Sequence, residues 1–261
     1  EQGMERDYEG RGARWRADLP SPESIGLKAG ERAASRLGSR KLESQKATVL
    51  FDRRVSGGIV GSTLGAISGA AVARGVSFLK DKLGQQIFDS SINLVDDPSR
   101  PRSFGSRAFD GEGVPGVKRN LIENGILTTW LLNCSAARQL GLQTTGHASR
   151  GVGSPPGIES NNVHLPAGPE SIEQLMQRVG KGLYVIESFG PSLNSNTGDY
   201  SAGVAGFWFE NGEIAFPVSE ITVAGNMLDI YRRLVPASDL EFRGGLNTPS
   251  ILVEDLTIAG Q

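Results

Sequence analysis

Residues 55–75 read VSGGIVGSTLGAISGAAVARG, with glycine at 57, 61, 65 and 69 and a further glycine at 58. Positions four apart lie on one ridge of an α-helix. Five glycines inside a helix would cost about 4–5 kcal/mol against alanine, so only tertiary packing can hold such a segment helical. The expectation is a buried helix. Gly57, Gly61, Gly65 and Gly69 would form a groove for another backbone, and Ile59, Val60, Leu64 and Ile67 would supply apolar bulk on the other faces. A phosphate cradle does not fit, because no lysine follows the glycines until Lys80. A membrane span fits poorly. The uncharged run 57–73 is at the short end of the ~17–25 residues needed, and Ser56, Ser62, Thr63 and Ser68 lower its hydrophobicity.

The surroundings of this segment are those of a sheet protein. QKATVLFD before it reads as a strand over 45–52, and Ser21-Pro22-Glu23 opens a helix that runs to about Gly38. Asn124-Gly125 and Asn211-Gly212 each sit between alternating apolar runs. Asn-Gly supplies the positive φ of a type I′ turn, so both mark hairpins. Short helices are expected over 135–142, closed by Gly141, over 170–179, and over about 225–234; SILVEDLTI at 250–258 is a final strand. Residues 192–203 read as a polar loop that could border a peptide cleft. Strands outnumber helices and hairpins join many of them, giving an α+β class with a largely antiparallel sheet and packed helices.

A net charge of −2 on 261 residues gives no electrostatic case for nucleic acid or an anionic membrane. The local basic cluster Arg6, Arg11, Arg14, Arg16 alternates with Glu5, Asp7 and Glu9 and reads as a solvated segment. One cysteine, Cys134, excludes an internal disulfide and fits a reducing cytoplasm. The chain starts at Glu1 rather than Met, and is expected to be a piece of a longer protein.

Residues with chemistry are few. Cys134 and His147 form a conceivable nucleophile pair, set against a small buried thiol and a loop histidine that only hydrogen-bonds. His147 and His164, the only histidines, have no metal-ligand spacing with the cysteine or the carboxylates. The GxGxxG at Gly111, Gly113 and Gly116 is broken by Pro115 and followed by a hairpin, so it reads as a turn-rich loop rather than a dinucleotide site.

Several long blocks carry a resemblance: MERDYEGRGAR, GGIVGSTLGAISGAAVARGVSFLKDKLGQQIF, SRAFDGEGVPG, NGILTTWLLNCSAARQLGLQTTGHASRG, NTGDYSAGVAGFWFENGEIAFPVSEITVAGNML and NTPSILVEDLTIAG. They run from end to end of the chain and resemble the TldD/PmbA family, PmbA (TldE)-type. The match implies that residues 1–261 are the C-terminal domain of such a protein, with the family's N-terminal α/β domain absent. In TldD-type members the helix matching residues 55–75 carries HExxxH, which with a later cysteine binds zinc. Here that stretch holds no His, Glu, Asp or Cys, and the tail reads EFRGGLNTP. The resemblance therefore implies a noncatalytic, cytoplasmic subunit that binds no cofactor itself. It would pair with a TldD-type zinc subunit to act on a peptide substrate, or form a homodimer in isolation, without direct contact to nucleic acid or membrane. Two other readings stand beside it: a self-contained hydrolase using Cys134 and His147, and a modulator of DNA gyrase acting through protein partners, as the family name suggests.

Overall fold

Strand β1 (Gln45–Phe51) organises the molecule, whose structure is a computed structural model describing residues 3–260. Its side chains alternate between two apolar environments: Val49 and Phe51 enter the main core, while Leu50 enters a smaller one on the opposite face. A strand covered on both faces is apolar throughout, which is why TVLF shows no hydrophobic-polar alternation.

The chain runs through α1 (Pro22–Ser35), β1, α2 (Arg53–Ala66), α3 (Gly69–Ala73), β2 (Leu94–Asp96), β3 (Arg119–Glu123), β4 (Ile126–Leu127) and α4 (Cys134–Leu140). There follow β5 (Ala148–Ser149), β6 (Gly157–Ile158), β7 (Val163–His164), α5 (Ile172–Val179), β8 (Gly182–Leu193), β9 (Asp199–Glu210) and β10 (Glu213–Asn226). The last elements are α6 (Met227–Arg233), β11 (Val235–Pro236), β12 (Leu246–Asn247) and β13 (Ile251–Ala259). Strands β1, β8, β9, β10 and β13 hydrogen-bond in a closed circuit, because β1 pairs both with β8 and with β13. Every pairing in that circuit is antiparallel except β1–β8. Closure leaves few free strand edges. Helix α5 covers the second face with Leu175 and Met176. A smaller sheet, β12-β7-β2-β3-β4, lies beyond α2, which contacts β1 and β8 on one side and β12 on the other. The α+β expectation with mainly antiparallel pairing is what the structure has.

Local signals act where expected. Ser21 caps α1 by accepting from the Ser24 N–H at 3.2 Å, and Gly141 ends α4 with φ 67°. Both Asn-Gly pairs have positive φ at both residues (49° and 78°, 53° and 79°) and join antiparallel strands. The polar stretch 192–203 differs from expectation. Strands β8 and β9 extend through most of it, pairing Ser192 with Ser201, and only residues 194–198 form the turn. Ser192 and Ser201 are compatible with a strand whose side chains meet water, and the asparagines fall in the turn.

The glycine helix is inverted relative to its expectation. Its packed face carries Ser56, Ile59, Val60, Thr63 and Ala66, while Gly58 and Gly65 face outward with nothing within 4 Å of a notional Cβ. Gly57 and Gly61 meet only side chains, Thr248 at 3.9 Å and Leu246 at 3.3 Å. The helix also breaks at Ile67–Ser68, so Gly69 starts α3 and is not on the ridge at all. Gly69 alone meets a backbone: its N–H donates to the Leu131 carbonyl at 2.8 Å, and a Cβ there would lie 3.0 Å from that oxygen and 2.4 Å from Leu132 Cδ2. Bulky side chains, not the glycines, seat α2 in the core.

Candidate functional site

The outward face of α2 floors a cleft of about 500 Å³. Val55 and Gly58 lie on this floor, beside Arg54; Ile186, Ser188 and Pro191 of β8 and Tyr200 of β9 form one wall. The opposite wall is the segment before α1, with Asp7, Tyr8, Glu9 and Gly10. Asp52 starts α2 by accepting from the Arg54 N–H at 2.8 Å, which brings Arg54 to the cleft.

The wall segment, residues 3–15, has no strand partner and buries no large apolar side chain. Burial alternates along it, and the residues that face inward include Glu5, Asp7, Glu9 and Arg11. They dock on a bed of arginines. Asp7, with its side chain 3% exposed, bonds Arg54 at 2.9 Å and lies 3.8 Å from Arg32. Glu9 pairs with Arg32 at 2.5 Å and Arg243 at 2.9 Å, while Glu5 reaches Arg36 at 3.4 Å. Arg36 in turn binds Glu187 of β8, and Arg11 pairs with Glu241 at 3.1 Å. Burial alone would raise the Asp7 carboxyl, but the hydrogen bond and charge of Arg54 outweigh it and hold it below the usual carboxylate range. Burial is likewise overcome at Glu9 by Arg32 and Arg243. The expectation of a solvated segment is corrected: its outward residues are solvated, and its carboxylates are an ion-paired strap. The period-two spacing of Glu5, Asp7 and Glu9 was the available signal.

Cys134 and His147 do not form a pair. His147 is buried, and both ring nitrogens are committed: Nε2 donates to Asp96 Oδ2 at 2.7 Å, and Nδ1 meets the Thr145 hydroxyl at 2.8 Å. Asp96 is further bound by the backbone N–H and Nδ2 of Asn161 at 3.1 and 2.7 Å. Cys134 sits at the start of α4, its N–H donating to Glu112 Oε2 at 2.7 Å. Hydrogen bonding to Glu112, with burial adding to it, pushes the thiol up, away from the thiolate a nucleophile requires. His164 accepts from Arg100 at its Nδ1 and is held neutral by burial and by the charges of Arg100 and Lys118.

Among the described residues no group of three or more His, Cys, Asp or Glu side chains is placed to hold a metal ion. The cleft floor offers Val55 and Gly58 where ligands would have to project, so these residues do not fit a zinc site. No helix among the described residues is long and apolar enough to cross a membrane.

Residues 44–260, which hold the closed strand circuit and the helix that floors the cleft, match the PmbA/TldA metallopeptidase C-terminal domain. The chain belongs to the PmbA/TldD family. It is 43% identical over 259 residues to metalloprotease PmbA of Escherichia coli O157:H7, covering 99% of this chain and 56% of that protein. A Thermotoga maritima crystal structure, described as a candidate modulator of a DNA gyrase, superposes with a TM-score of 0.86 at 37% identity, covering 95% of this chain and 57% of that one. TldE from Thermococcus kodakarensis gives a TM-score of 0.82 at 26% identity, over 91% and 55% of the two chains. The chain thus spans about half the length of the relatives it matches.

Proposed function

We propose that this chain is the noncatalytic, peptide-accommodating member of a two-subunit zinc metallopeptidase, with the metal supplied by a TldD-type partner. The observation that carries the reading is the cleft itself. It is of ligand size, with a glycine floor and walls of mixed polarity, yet no side chain on that floor can bind or activate a metal-bound water. Metalloprotease names among the relatives support peptide as the substrate class. An exposed Gly58 leaves room for an extended backbone to lie on α2, and β8 and the strap bound it on either side.

The test is reconstitution with a TldD-type subunit from the same source. Hydrolysis of an unfolded peptide should need both chains, and elemental analysis of this chain alone should find no stoichiometric zinc. Gly58→Phe should lower cleavage at least tenfold while the complex still forms. One tightly held zinc in this chain, or chelator-sensitive cleavage without a partner, refutes the reading; full cleavage with the cleft blocked refutes the role given to the cleft.

A further inference from the structure

Arg100 is a half-buried cation to which the fold gives no carboxylate among the described residues. Its guanidinium carbon lies 3.5 Å from the ring centre of Phe242, and its Nη2 donates to His164 Nδ1 at 3.2 Å. Its Nε is buried with no hydrogen-bond partner. Asp97, the acidic group whose charge it feels, is engaged by the N–H and hydroxyl of Ser99 and by Lys118. Burial accordingly lowers the arginine's basicity. A half-buried charge without a carboxylate is costly, and an anion that pairs with the accessible part of the guanidinium recovers part of that cost.

Arg100 lines a pocket of about 360 Å³, with Arg11, Arg102, Arg243, Phe104 and Phe242 around it. The other three arginines each have a carboxylate within ion-pair distance, Glu241 for Arg11, Asp18 for Arg102 and Glu9 for Arg243, although Arg11 Nη1 and Arg243 Nε, like Arg100 Nε, are buried without a hydrogen-bond partner. Arg100 is the pocket cation with no carboxylate of its own among the described residues, so the pocket suits an anion placed beside it, and Asp18 on the lining disfavours a highly charged one. Phe104 and Phe242 are each nearly half exposed, 48% and 45%, and offer apolar contact beside the guanidinium. A planar fork of donors next to apolar surface matches a carboxylate carried on an apolar residue. The same strap links this pocket to the cleft, residues 7–10 walling the cleft and residues 11–13 walling the pocket.

We propose that the Arg100 pocket binds the free C-terminal carboxylate of a peptide whose preceding residues lie in the cleft. The assignment of a peptide rests on the function proposed above; the preference for a carboxylate rests on Arg100 itself. The experiment uses a probe too short to fill the cleft, N-acetyl-alanyl-leucine, as the free acid and as the C-terminal amide, titrated calorimetrically into the purified chain. The acid should bind about tenfold tighter than the amide. Arg100→Gln should erase that difference, with circular dichroism confirming the fold. Equal binding of acid and amide by the unaltered chain, or failure of both to bind, overturns the proposal without any variant being needed. So does a difference that survives Arg100→Gln. An amidated probe with an internal glutamate should bind no better than the plain amide; if it matches the free acid, the site reads side chains and the C-terminal assignment falls. None of these outcomes depends on the Gly58 blocking test, so the two readings fail separately.

Discussion

The two sides of the cleft are held by opposite kinds of force. Its floor, α2, is seated by Ile59, Val60 and Ala66 in an apolar core that spans both sheets. Its outer wall, the strap of residues 3–15, contributes almost no apolar burial and is pinned by carboxylates on arginines. Hydrophobic burial is insensitive to acid, whereas an ion pair is lost when its carboxylate is protonated. One cleft therefore combines a fixed floor with a wall that solution conditions can loosen, and substitutions should separate the two.

The largest effect belongs to the interior. His147→Ala removes a hydrogen-bond donor from the fully buried Asp96 and should cost about 3 kcal/mol, because a buried acceptor loses a partner. Chemical denaturation measures it, and Cys134→Ala, which leaves the backbone bond to Glu112 intact, should stay within about 0.5 kcal/mol in the same assay. A small loss for His147→Ala would mean the interior is less tightly specified than the strap. Next comes Gly69→Leu. With Leu132 Cδ2 2.4 Å from the first added carbon and the Leu131 carbonyl 3.0 Å away, overpacking should cost about 1–3 kcal/mol or more.

The strap should give the intermediate effect, and a local one. Asp7 and Glu9 have folded-state values below their unfolded ones, the ion pairs outweighing burial. Their stabilisation is therefore complete above about pH 5 and is lost as the pH falls below about 4 toward the lowered values. Pepsin should nick the chain beside the exposed Tyr8 at pH 3 much faster than at pH 4.5, while β1 and β13 stay intact. Cutting in the core at the same rate would erase the distinction between floor and wall. The smallest effect is Gly65→Ala. This outward glycine in the last turn of α2 has open space around it, so alanine should stabilise by about 0.5–1 kcal/mol. Destabilisation there would restore the buried ridge.

What the sequence disclosed follows the range of the forces involved. Caps and type I′ turns are decided by two to four neighbouring residues, and Ser21, Gly141 and both Asn-Gly pairs were legible for that reason. The orientation of α2 was not. Spacing identified a glycine row, but whether it faces a neighbour depends on β12 and α4, distant elements that no local pattern specifies. The candidate site was hidden for the same reason: Asp7 and Arg54, or Arg100 and Phe242, meet only after the chain folds back. The resemblance to the family covered both the helix that floors the cleft and the strap, as MERDYEGRGAR, but gave the strap no role.

The closed strand circuit has a consequence for how the chain is made. Gln45 in β1 pairs with Ile258 in β13, so one strand waits for another that is translated much later. The local hairpin β8–β9–β10 can form as soon as it leaves the ribosome, but β1 keeps an unpaired edge of QKATVLF throughout that interval. Closure over such a separation makes folding slow, because loop entropy is lost before the contacts that offset it form. Nascent chains stalled before β13 would leave the edge of β1 that β13 covers open, a template for pairing with another chain until Ile251 is made.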